Sequence, residues 1–316
     1  MSALLAVDAA TLYFRAFHAI PTSVAAPDGS PVNAVRGYLD MTAHLLQRYR
    51  PDAYAACWDA DWRPAFRTDL LPAYKAHRVL EARPEGDPDV EEAPDELAPQ
   101  VPLLAATLAL LGLPVVAAPG HEADDACATL ARRWPDEQRG PVHVVSGDRD
   151  LLQLVDDARG VDVVYVGGGV RDAPVYDEAR LAEKYDVSGG RGYLEMSLLR
   201  GDPSDGLPGV AGIGERTAAE LLRRHGGLAG LLEAVRDPDS SLSRARRARL
   251  AEAADYLHRA LRVVRCVDDA PLEPDDLAGL VLGPEPDPAA TDAHAERWGL
   301  TGAVGRLRGA RTGLSR

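Results

Sequence analysis

Three hydrophobic segments of this sequence each run into an aspartate, and each has the length and composition of a buried β-strand. Residues 4–7 lead into Asp8, residues 53–58 into Asp59, and residues 142–147 into Asp148. In an open parallel sheet the ligand site lies beyond the carboxyl ends of the strands, so we expect these side chains to meet there. Clustered carboxylates repel one another. The arrangement therefore predicts a site for divalent cations that prefer oxygen ligands, such as Mg²⁺ or Mn²⁺.

The composition is that of an ordinary soluble protein, with 46% hydrophobic and 27% charged residues in a chain of 316. This length suits one large domain or two unequal ones. The sequence has neither the pattern of a signal peptide nor an apolar segment of membrane-spanning length. Its cysteines, Cys57, Cys127 and Cys266, are widely separated. We therefore expect a cytoplasmic protein with neither a disulfide framework nor a zinc site.

The formal net charge of −14, from 35 basic and 49 acidic residues, argues by itself against a nucleic-acid partner. Metal-binding carboxylates and one acidic segment can account for much of this excess, so the distribution of charge matters more than its sum. That segment, Val79–Gln100, holds eight acids, one base and several prolines. It fits either a solvated loop or a lid beside the metal site, and both interpretations remain open.

The chain divides into three regions by pattern. In residues 1–176 predicted strands alternate with predicted helices, among them an amphipathic helix over Asn33–Tyr49. This alternation predicts an α/β fold with a parallel sheet and right-handed crossovers. Residues 177–282 are predicted to be helical and contain many arginines, and residues 283–316 read as a proline-rich tail that ends in a short helix.

Further acids follow in short motifs that each have a simple structural explanation. Glu122, Asp124 and Asp125 open a predicted helix, where acids favour the helix dipole. Asp150 is placed to cap a helix, and Asp202 and Asp205 lie in a segment rich in turn-forming residues. Taken together, however, these acids would all gather at the same edge of the sheet, which favours a metal site.

A glycine-punctuated turn over residues 207–214 leads into a predicted helix. Backbone N–H groups at such a turn and helix start can hold a phosphate. Basic residues follow the turn at Arg216, Arg223, Arg224, Arg244, Arg246, Arg247 and Arg249. This region therefore predicts contacts with a nucleic-acid backbone.

At these motifs the chain resembles the 5′-nuclease family, which includes the 5′→3′ exonuclease domain of bacterial DNA polymerase I, stand-alone 5′-3′ exonucleases and flap endonucleases. The resemblance extends from Leu4 to about Leu307 and is carried by residues 74–78, 120–125, 146–154 and 201–218. It implies a PIN-like parallel sheet flanked by helices, with an arch region at about residues 72–100 and a helical helix-hairpin-helix (H3TH) subdomain that binds DNA.

The resemblance also implies roles for particular residues. A first metal ion would be bound by Asp8, Asp59, Glu122 and Asp124, and a second by Asp125, Asp150, Asp202 and Asp205, with Asp148 between them. Lys75 and Arg78 would act in catalysis by orienting the scissile phosphate. DNA contacts would come from Arg15, Gly209, Gly212, Gly214, Arg216, Thr217, Arg244, Arg246 and Arg247, with a K⁺ ion at the turn.

The activity implied is that of a monomeric, Mg²⁺- or Mn²⁺-dependent 5′→3′ exonuclease and 5′-flap endonuclease. Its substrates would be DNA with 5′ ends or flaps and also RNA–DNA primers, as needed in replication and repair, without any membrane association. No polymerase domain is expected within these 316 residues.

Two departures from the family pattern leave an alternative open. Gly206 stands where the family usually has Asn, which is expected to loosen the loop of the last acids, and the arch segment is unusually long and acidic. A structure-specific DNA-binding protein with weak or vestigial nuclease activity therefore remains a competing interpretation. A PIN-type ribonuclease would share the acidic edge but leaves the glycine turn and the helical region unexplained.

Overall fold

The computed structural model describes residues 2–83 and 87–312. Its centre is a six-stranded sheet in the order β5-β2-β1-β6-β7-β8. The strands are β1 (Leu4–Asp8), β2 (Ala53–Trp58), β5 (Val115–Ala117), β6 (Val142–Ser146), β7 (Val161–Tyr165) and β8 (Val175–Tyr176). All neighbours pair in parallel except β7 and β8. The predicted α/β class with a parallel sheet is therefore confirmed.

A separate antiparallel hairpin is formed by β3 (Val79–Glu81) and β4 (Val90–Glu91) within the acidic segment. Residues 84–86 of that segment lie outside the described residues. Strand β4 places Glu91 opposite Val79, and the Glu92 amide donates to the Arg78 carbonyl over 2.8 Å. The first residues of the acidic segment, directly after Arg78, thus pair with residues near its middle.

Helices cover both faces of the sheet and build the second half of the chain. In the first half they are α1 (Ala9–Ala19), α2 (Asn33–Tyr49), α3 (Ala65–Thr68), α4 (Gln100–Leu110) and α5 (Ala123–Asp136). The second half contains α6 (Glu178–Tyr185), α7 (Gly189–Arg200), α8 (Glu215–His225), α9 (Leu228–Arg236), α10 (Arg244–Glu252), α11 (Ala254–Val264), α12 (Pro288–Arg297) and α13 (Thr301–Thr312). Short 3₁₀ turns lie at Ala76–Arg78, Asp150–Leu154, Pro203–Asp205 and Leu277–Leu280.

The central strand β1 is buried on both faces, as a strand in a parallel sheet must be. Leu4 and Ala6 face one core, together with α5 and the helices of the second half. Leu5 and Val7 face the other core, which α2, α4 and the last helix complete. The two cores hold β1 rigidly, so the residue at its carboxyl end has a fixed position.

The last region differs from the predicted tail with one short helix. Two helices, α12 and α13, form there, and Val304 and Leu307 of α13 are buried in the same core as Leu46 of α2. This segment therefore belongs to the layer that covers the sheet. Among the described residues no helix is both long and apolar enough to cross a membrane.

Truncation of the α13 core contact should destabilise the whole fold. Leu307 is fully buried, whereas Leu80 on the hairpin is 67% exposed. We expect Leu307→Ala to lower the free energy of unfolding by about 2–5 kcal/mol. The matched Leu80→Ala change should stay within about 0.5 kcal/mol. Urea unfolding followed by circular dichroism measures both, and equal effects would contradict the assignment of α13 to the core.

Candidate metal centre

Three neighbouring strands deliver their acids to one edge of the sheet. Asp8 is the last residue of β1, Asp59 follows β2 directly, and Asp148 lies two residues beyond β6. Because the strand order is β2-β1-β6, these carboxyl ends are adjacent. Burial raises the pKa of Asp8 and of Asp59, and repulsion adds to the shift, from the charge of Asp148 on Asp8 and from that of Asp8 on Asp59.

Asp8 is held rigidly by hydroxyl and amide donors. Its carboxylate accepts hydrogen bonds from the Thr11 amide at 3.2 Å, the Thr11 hydroxyl at 2.5 Å and the Ser146 hydroxyl at 2.7 Å. Ser146 also accepts from the Asp148 amide at 2.9 Å, which links the ends of β1 and β6. Burial outweighs the effect of these donors, so the pKa of Asp8 is raised.

The second strand is tied to the start of α5 in a similar way. The Ala123 amide donates to Asp59 Oδ1 over 2.8 Å. Burial raises the pKa of Asp59 to about 7, and the charges of Asp8 and Glu122 contribute. The pKa of Asp124, in the first turn of α5, lies well above its ordinary value because of burial and then because of the Asp148 and Asp8 charges.

A second group of acids lies on the other side of Asp148. Burial raises the pKa of Asp150 well above its ordinary value, and the charges of Asp148, Asp205 and Asp202 add to this effect. The pKa of Asp205 is raised to about 6, chiefly by burial. Asp150 Oδ1 is buried and has no hydrogen-bond partner in the described part of the chain. It is therefore an oxygen donor with free capacity.

These acids match the chemistry of a hard divalent cation. Asp8 and Asp205 are buried, and Asp59, Asp124 and Asp150 are half-buried. Their raised pKa values show that these enclosed carboxylates ionise only with difficulty in one another's presence. Carboxylate oxygens are the ligands that Mg²⁺ and Mn²⁺ prefer. Within the described residues no three acids, histidines or cysteines already form a ready-made coordination shell. The acids are suited to a divalent cation because their oxygens are the ligands it prefers and their charge is opposite to its own.

Asp125, which the sequence places near a second metal, differs from this set in the partners of its carboxylate. It is fully buried, and both oxygens accept from the Arg67 guanidinium, at 2.9 and 2.6 Å. The Val267 amide donates to it over 2.7 Å, and the Glu122 amide over 3.2 Å. Its carboxylate is occupied by these donors, so it has little capacity to bind a metal directly.

Glu122 also differs electrostatically from the other acids. It accepts from Lys75 Nζ at 2.5 Å and from the Tyr74 hydroxyl at 2.9 Å, and Arg67 Nη1 lies 3.0 Å away. Burial by itself would raise the pKa of Glu122, but the Lys75 and Arg67 cations outweigh it and the pKa is lowered. Arg67 and Tyr74 were missed as site residues because nothing in their sequence spacing reveals these partners.

Lys75 and Arg78 stand at the base of the β3–β4 hairpin and contact the acidic loop of the second half. The Lys75 amide donates to the Asp205 carbonyl over 3.0 Å. Arg78 Nη2 donates to Asp205 Oδ1 over 2.8 Å and to the Ser204 carbonyl over 2.9 Å. Both predicted catalytic cations therefore lie beside the carboxylate cluster.

Gly206 fits this contact tightly, which differs from the expected loosening of the loop. Its φ of +74° favours glycine. A Cβ at this position would overlap with the Ala73 carbonyl oxygen. The loop that carries Asp202 and Asp205 therefore rests directly against the chain that leads to Lys75.

The acidic hairpin lies next to the site, but its charges are partly balanced. Arg63 Nη1 pairs with Asp89 over 2.7 Å. Burial raises the pKa of Glu91, and the opposing influence comes from the Arg78 and Lys75 cations. Glu91 thus carries its charge close to both predicted catalytic residues.

The predicted DNA-contact residues are distributed unevenly. Arg216 and Arg244 are exposed, as are Gly212 and Gly214 at the turn before α8. Other members of the set are more enclosed: Thr217, Gly209 and Arg246 are half-buried, and half-buried Arg247 donates to Ser240. Arg15 lies elsewhere, where its guanidinium donates to the Gly167 carbonyl over 2.6 Å. The turn and α10 lie side by side, because a Cβ at Gly212 would meet the Arg249 guanidinium, whereas Arg15 is bonded to the loop after β7.

Comparisons with protein-family models match nearly the whole chain. Residues 3–186 match the model described as 5′-3′ exonuclease, N-terminal resolvase-like domain. Residues 190–284 match the model described as 5′-3′ exonuclease, C-terminal SAM fold.

Relatives of similar length carry the same description. The chain is 55% identical over 301 residues to a 5′-3′ exonuclease of Streptomyces coelicolor, covering 95% of this chain and 97% of the relative. It is 48% identical over 313 residues to a 5′-3′ exonuclease of Mycobacterium tuberculosis, with 97% and 96% covered. A longer relative, a DNA polymerase I of M. tuberculosis, is 38% identical over 277 residues, which are 87% of this chain and 28% of that protein.

Solved structures share the fold at low sequence identity. The T5 D15 protein co-crystallised with metal ions has a TM-score of 0.63 at 19% identity, covering 98% of this chain and 99% of that one. The catalytic core of Rad2 in complex with a DNA substrate has a TM-score of 0.61 at 15% identity, covering 99% and 92%.

The raised pKa values predict how metal should act on stability. Burial raises the pKa of Asp59 to about 7 and that of Asp205 to about 6, from an ordinary value of 3.8. Between pH 3.8 and these raised values the folded state therefore holds more protons than the unfolded state. Stability in EDTA should therefore fall as pH rises from about 4 to 7. Because Mg²⁺ competes with these protons, its stabilisation should grow over the same range.

Thermal unfolding at about pH 5.5 and pH 8, with Mg²⁺ or EDTA, measures this difference. KCl at matched ionic strength is the control for general screening. An Mg²⁺-induced shift of the thermal midpoint that is equal at the two pH values would contradict a metal site built from these acids.

Proposed function

Because this chain belongs to the 5′-3′ exonuclease family, we propose that it hydrolyses phosphodiester bonds of DNA from 5′ ends and at 5′ flaps, with the help of divalent metal ions. The observation that carries this function is the set of acids at the carboxyl ends of β2, β1 and β6, with Lys75 and Arg78 beside it. The match of both family models, which together span residues 3–284 with a short gap, supports the same activity. The chain is a nuclease of this family.

The metal ions would be Mg²⁺ or Mn²⁺. We assign a first ion to Asp8, Asp59, Asp124 and Asp148, and a second to Asp148, Asp150, Asp202 and Asp205. Divalent ions bound there would polarise the scissile phosphodiester and promote the attack of water. The hydrogen bonds of Thr11 and Ser146 to Asp8 would fix the orientation of that carboxylate toward its ion.

Lys75 and Arg78 would supply positive charge where the phosphate develops negative charge. Lys75 lies against Glu122, and Arg78 lies against Asp205, so both cations stand beside the metal-binding acids. Glu91 of the hairpin lies near them, and an incoming DNA strand would have to approach beside this acid. The negative charge of Glu91 would repel the phosphates of the DNA strand, and the positive charges of Lys75 and Arg78 would offset this repulsion.

The helical second half would bind the DNA duplex. The exposed Arg216 and Arg244 and the glycine turn before α8 offer guanidinium and N–H donors to phosphates, with K⁺ as a further ligand of the turn. Such contacts position the duplex and carry no base readout. Solved relatives of the same fold include the T5 D15 flap endonuclease in a pseudo-enzyme-product complex with DNA and metal ions. RNA–DNA primers would be further substrates, and the protein would act as a monomer in replication and repair.

Removal of Asp148 should abolish cleavage and spare duplex binding. Asp148 adjoins both groups of acids, so Asp148→Ala should reduce the cleavage rate of a 5′-flap duplex by roughly a hundredfold or more. The exposed Asp172 provides a matched control, and Asp172→Ala should cut at the wild-type rate. The assay uses a labelled flap strand with Mg²⁺, Mn²⁺ or EDTA.

Metal-dependent cutting near the flap junction by the wild type, lost in Asp148→Ala, is the expected result. Near-normal cutting by Asp148→Ala would contradict the proposed metal cluster. Tight binding by the wild type without cutting in any metal would instead support a structure-specific DNA-binding protein with vestigial nuclease activity.

The exposed arginines should set the salt dependence of DNA binding. In the inactive Asp148→Ala background, Arg216→Ala and Arg244→Ala should each reduce the slope of log K against log salt by about 0.9 per lost phosphate contact. The exposed Arg36 of α2 lies on the far side of the sheet, so Arg36→Ala is the matched control. Fluorescence anisotropy over a salt series measures the slopes. Unchanged slopes for Arg216→Ala and Arg244→Ala would exclude these residues from the interface.

A further inference from the structure

Arg67 is a buried cation that the nuclease reaction described above does not use. It lies in the short helix α3, between Asp59 and Lys75 in sequence, and only 2% of it is exposed. A guanidinium buried to this degree requires partners for its charge and its N–H donors. Its contacts therefore indicate what it does.

The guanidinium of Arg67 joins two acids at the start of α5. Its Nη1 and Nη2 donate to Asp125 over 2.9 and 2.6 Å, and Nη1 lies 3.0 Å from Glu122 Oε1. Glu122 in turn accepts from the Lys75 ammonium over 2.5 Å. Two acids and two bases thus form a closed group in which charge is balanced.

The same arginine reaches the helical half of the chain. Its Nε donates to the Val263 carbonyl at the end of α11 over 2.8 Å. The Val267 amide, just beyond α11, donates to Asp125 over 2.7 Å. Arg67 and Asp125 therefore fasten the start of α5 to the end of α11.

Stability alone does not explain this arrangement. Removing two charges from water is expensive, and buried ion pairs can often be replaced by apolar residues without loss of stability. What an apolar pair cannot do is hold the Glu122 carboxylate in one orientation. Arg presents a rigid fork that engages two carboxylates at once, which Lys cannot reproduce.

We propose that Arg67 is a positioning residue of the nuclease: it orients Glu122, which holds the Lys75 ammonium beside the metal-binding acids, and Asp125 is the charge partner that fixes Arg67. This inference rests on the proposed function for its kinetic consequence. Its geometric consequence, the fixed position of Lys75, is independent of cleavage.

The test separates positioning from stability by a charge-balanced double variant. Arg67→Met alone leaves Asp125 and Glu122 buried with too little positive charge, so it should lower the thermal midpoint. Adding Asp125→Asn removes the surplus charge and should restore most of the midpoint. If Arg67 is a positioning residue, the double variant should still show kcat reduced roughly 10- to 100-fold, with KM for flap DNA unchanged.

A second readout follows Lys75 directly. The sequence has two lysines, Lys75 and Lys184, so pulse acetylation with peptide mass spectrometry resolves each side chain and Lys184 serves as the internal reference. Release of Lys75 from Glu122 in the Arg67→Met/Asp125→Asn variant should raise its labelling several-fold relative to Lys184. Arg67→Lys keeps the charge and should recover part of both readouts.

Arg132→Met is the matched control. Arg132 is a half-buried arginine whose Nε donates to the Asp268 carbonyl in the loop after α11 over 2.6 Å. It fastens α5 to the same region and does not contact Glu122 or Asp125 in the described structure. Its loss should leave kcat and Lys75 labelling at wild-type values.

Wild-type kcat and wild-type Lys75 labelling in the stable double variant would overturn the proposal, because Arg67 would then serve stability only. If the double variant does not fold, Arg67→Lys decides by the same two readouts, and wild-type values there overturn the proposal. Failure of the wild-type protein to cut any DNA would refute the proposed function, while the labelling comparison would still decide the position of Lys75.

Discussion

Repulsion among carboxylates at one edge of the sheet is the constraint on which the rest of the structure depends. Asp8, Asp59 and Asp148 are brought together because β2, β1 and β6 are neighbours and run in parallel. Burial and mutual repulsion raise the pKa of the enclosed acids. A fold can hold such a group only if its scaffold is rigid and protons or cations relieve the repulsion. The double-sided core around β1 provides the rigidity.

The acids at this edge fall into two electrostatic classes. Glu122 and Asp125 are paired with the protein's own cations, Arg67 and Lys75. Acids such as Asp124 and Asp150 have raised pKa values and, in the case of Asp150, an oxygen without a protein partner in the described chain. The first class holds the cations Arg67 and Lys75 in place. The second class is suited to bind metal. A carboxylate's motif position alone does not reveal its class.

Much of the fold could be predicted from the sequence because periodicity is a local signal. The amphipathic pattern predicted α2 at Asn33–Tyr49, where the structure has it, and the hydrophobic runs predicted β1 and β2. The class of fold follows from the alternation of strands and helices. The helices of the last region were under-predicted because proline-rich flanks and small residues give them a weak amphipathic pattern.

The predictions for the site were limited by contacts between residues far apart in sequence. Motif resemblance named Asp125 as a metal ligand, but its partner Arg67 lies 58 residues away and carries no signal of that contact. Gly206 was expected to loosen its loop, whereas the missing side chain gives room for the Ala73 carbonyl. Local pattern predicts which residues reach the edge of the sheet, but only the packed structure shows which partner each one meets.

The most direct test of the account is a crystal structure with Mn²⁺ and its anomalous scattering. The account predicts Mn²⁺ peaks between Asp8, Asp124 and Asp148 and next to Asp150 and Asp205, with Asp125 still paired to Arg67. Peaks confined to surface acids, or an ion bound by Asp125 in place of Arg67, would contradict the division of the carboxylates into metal-binding and ion-paired classes.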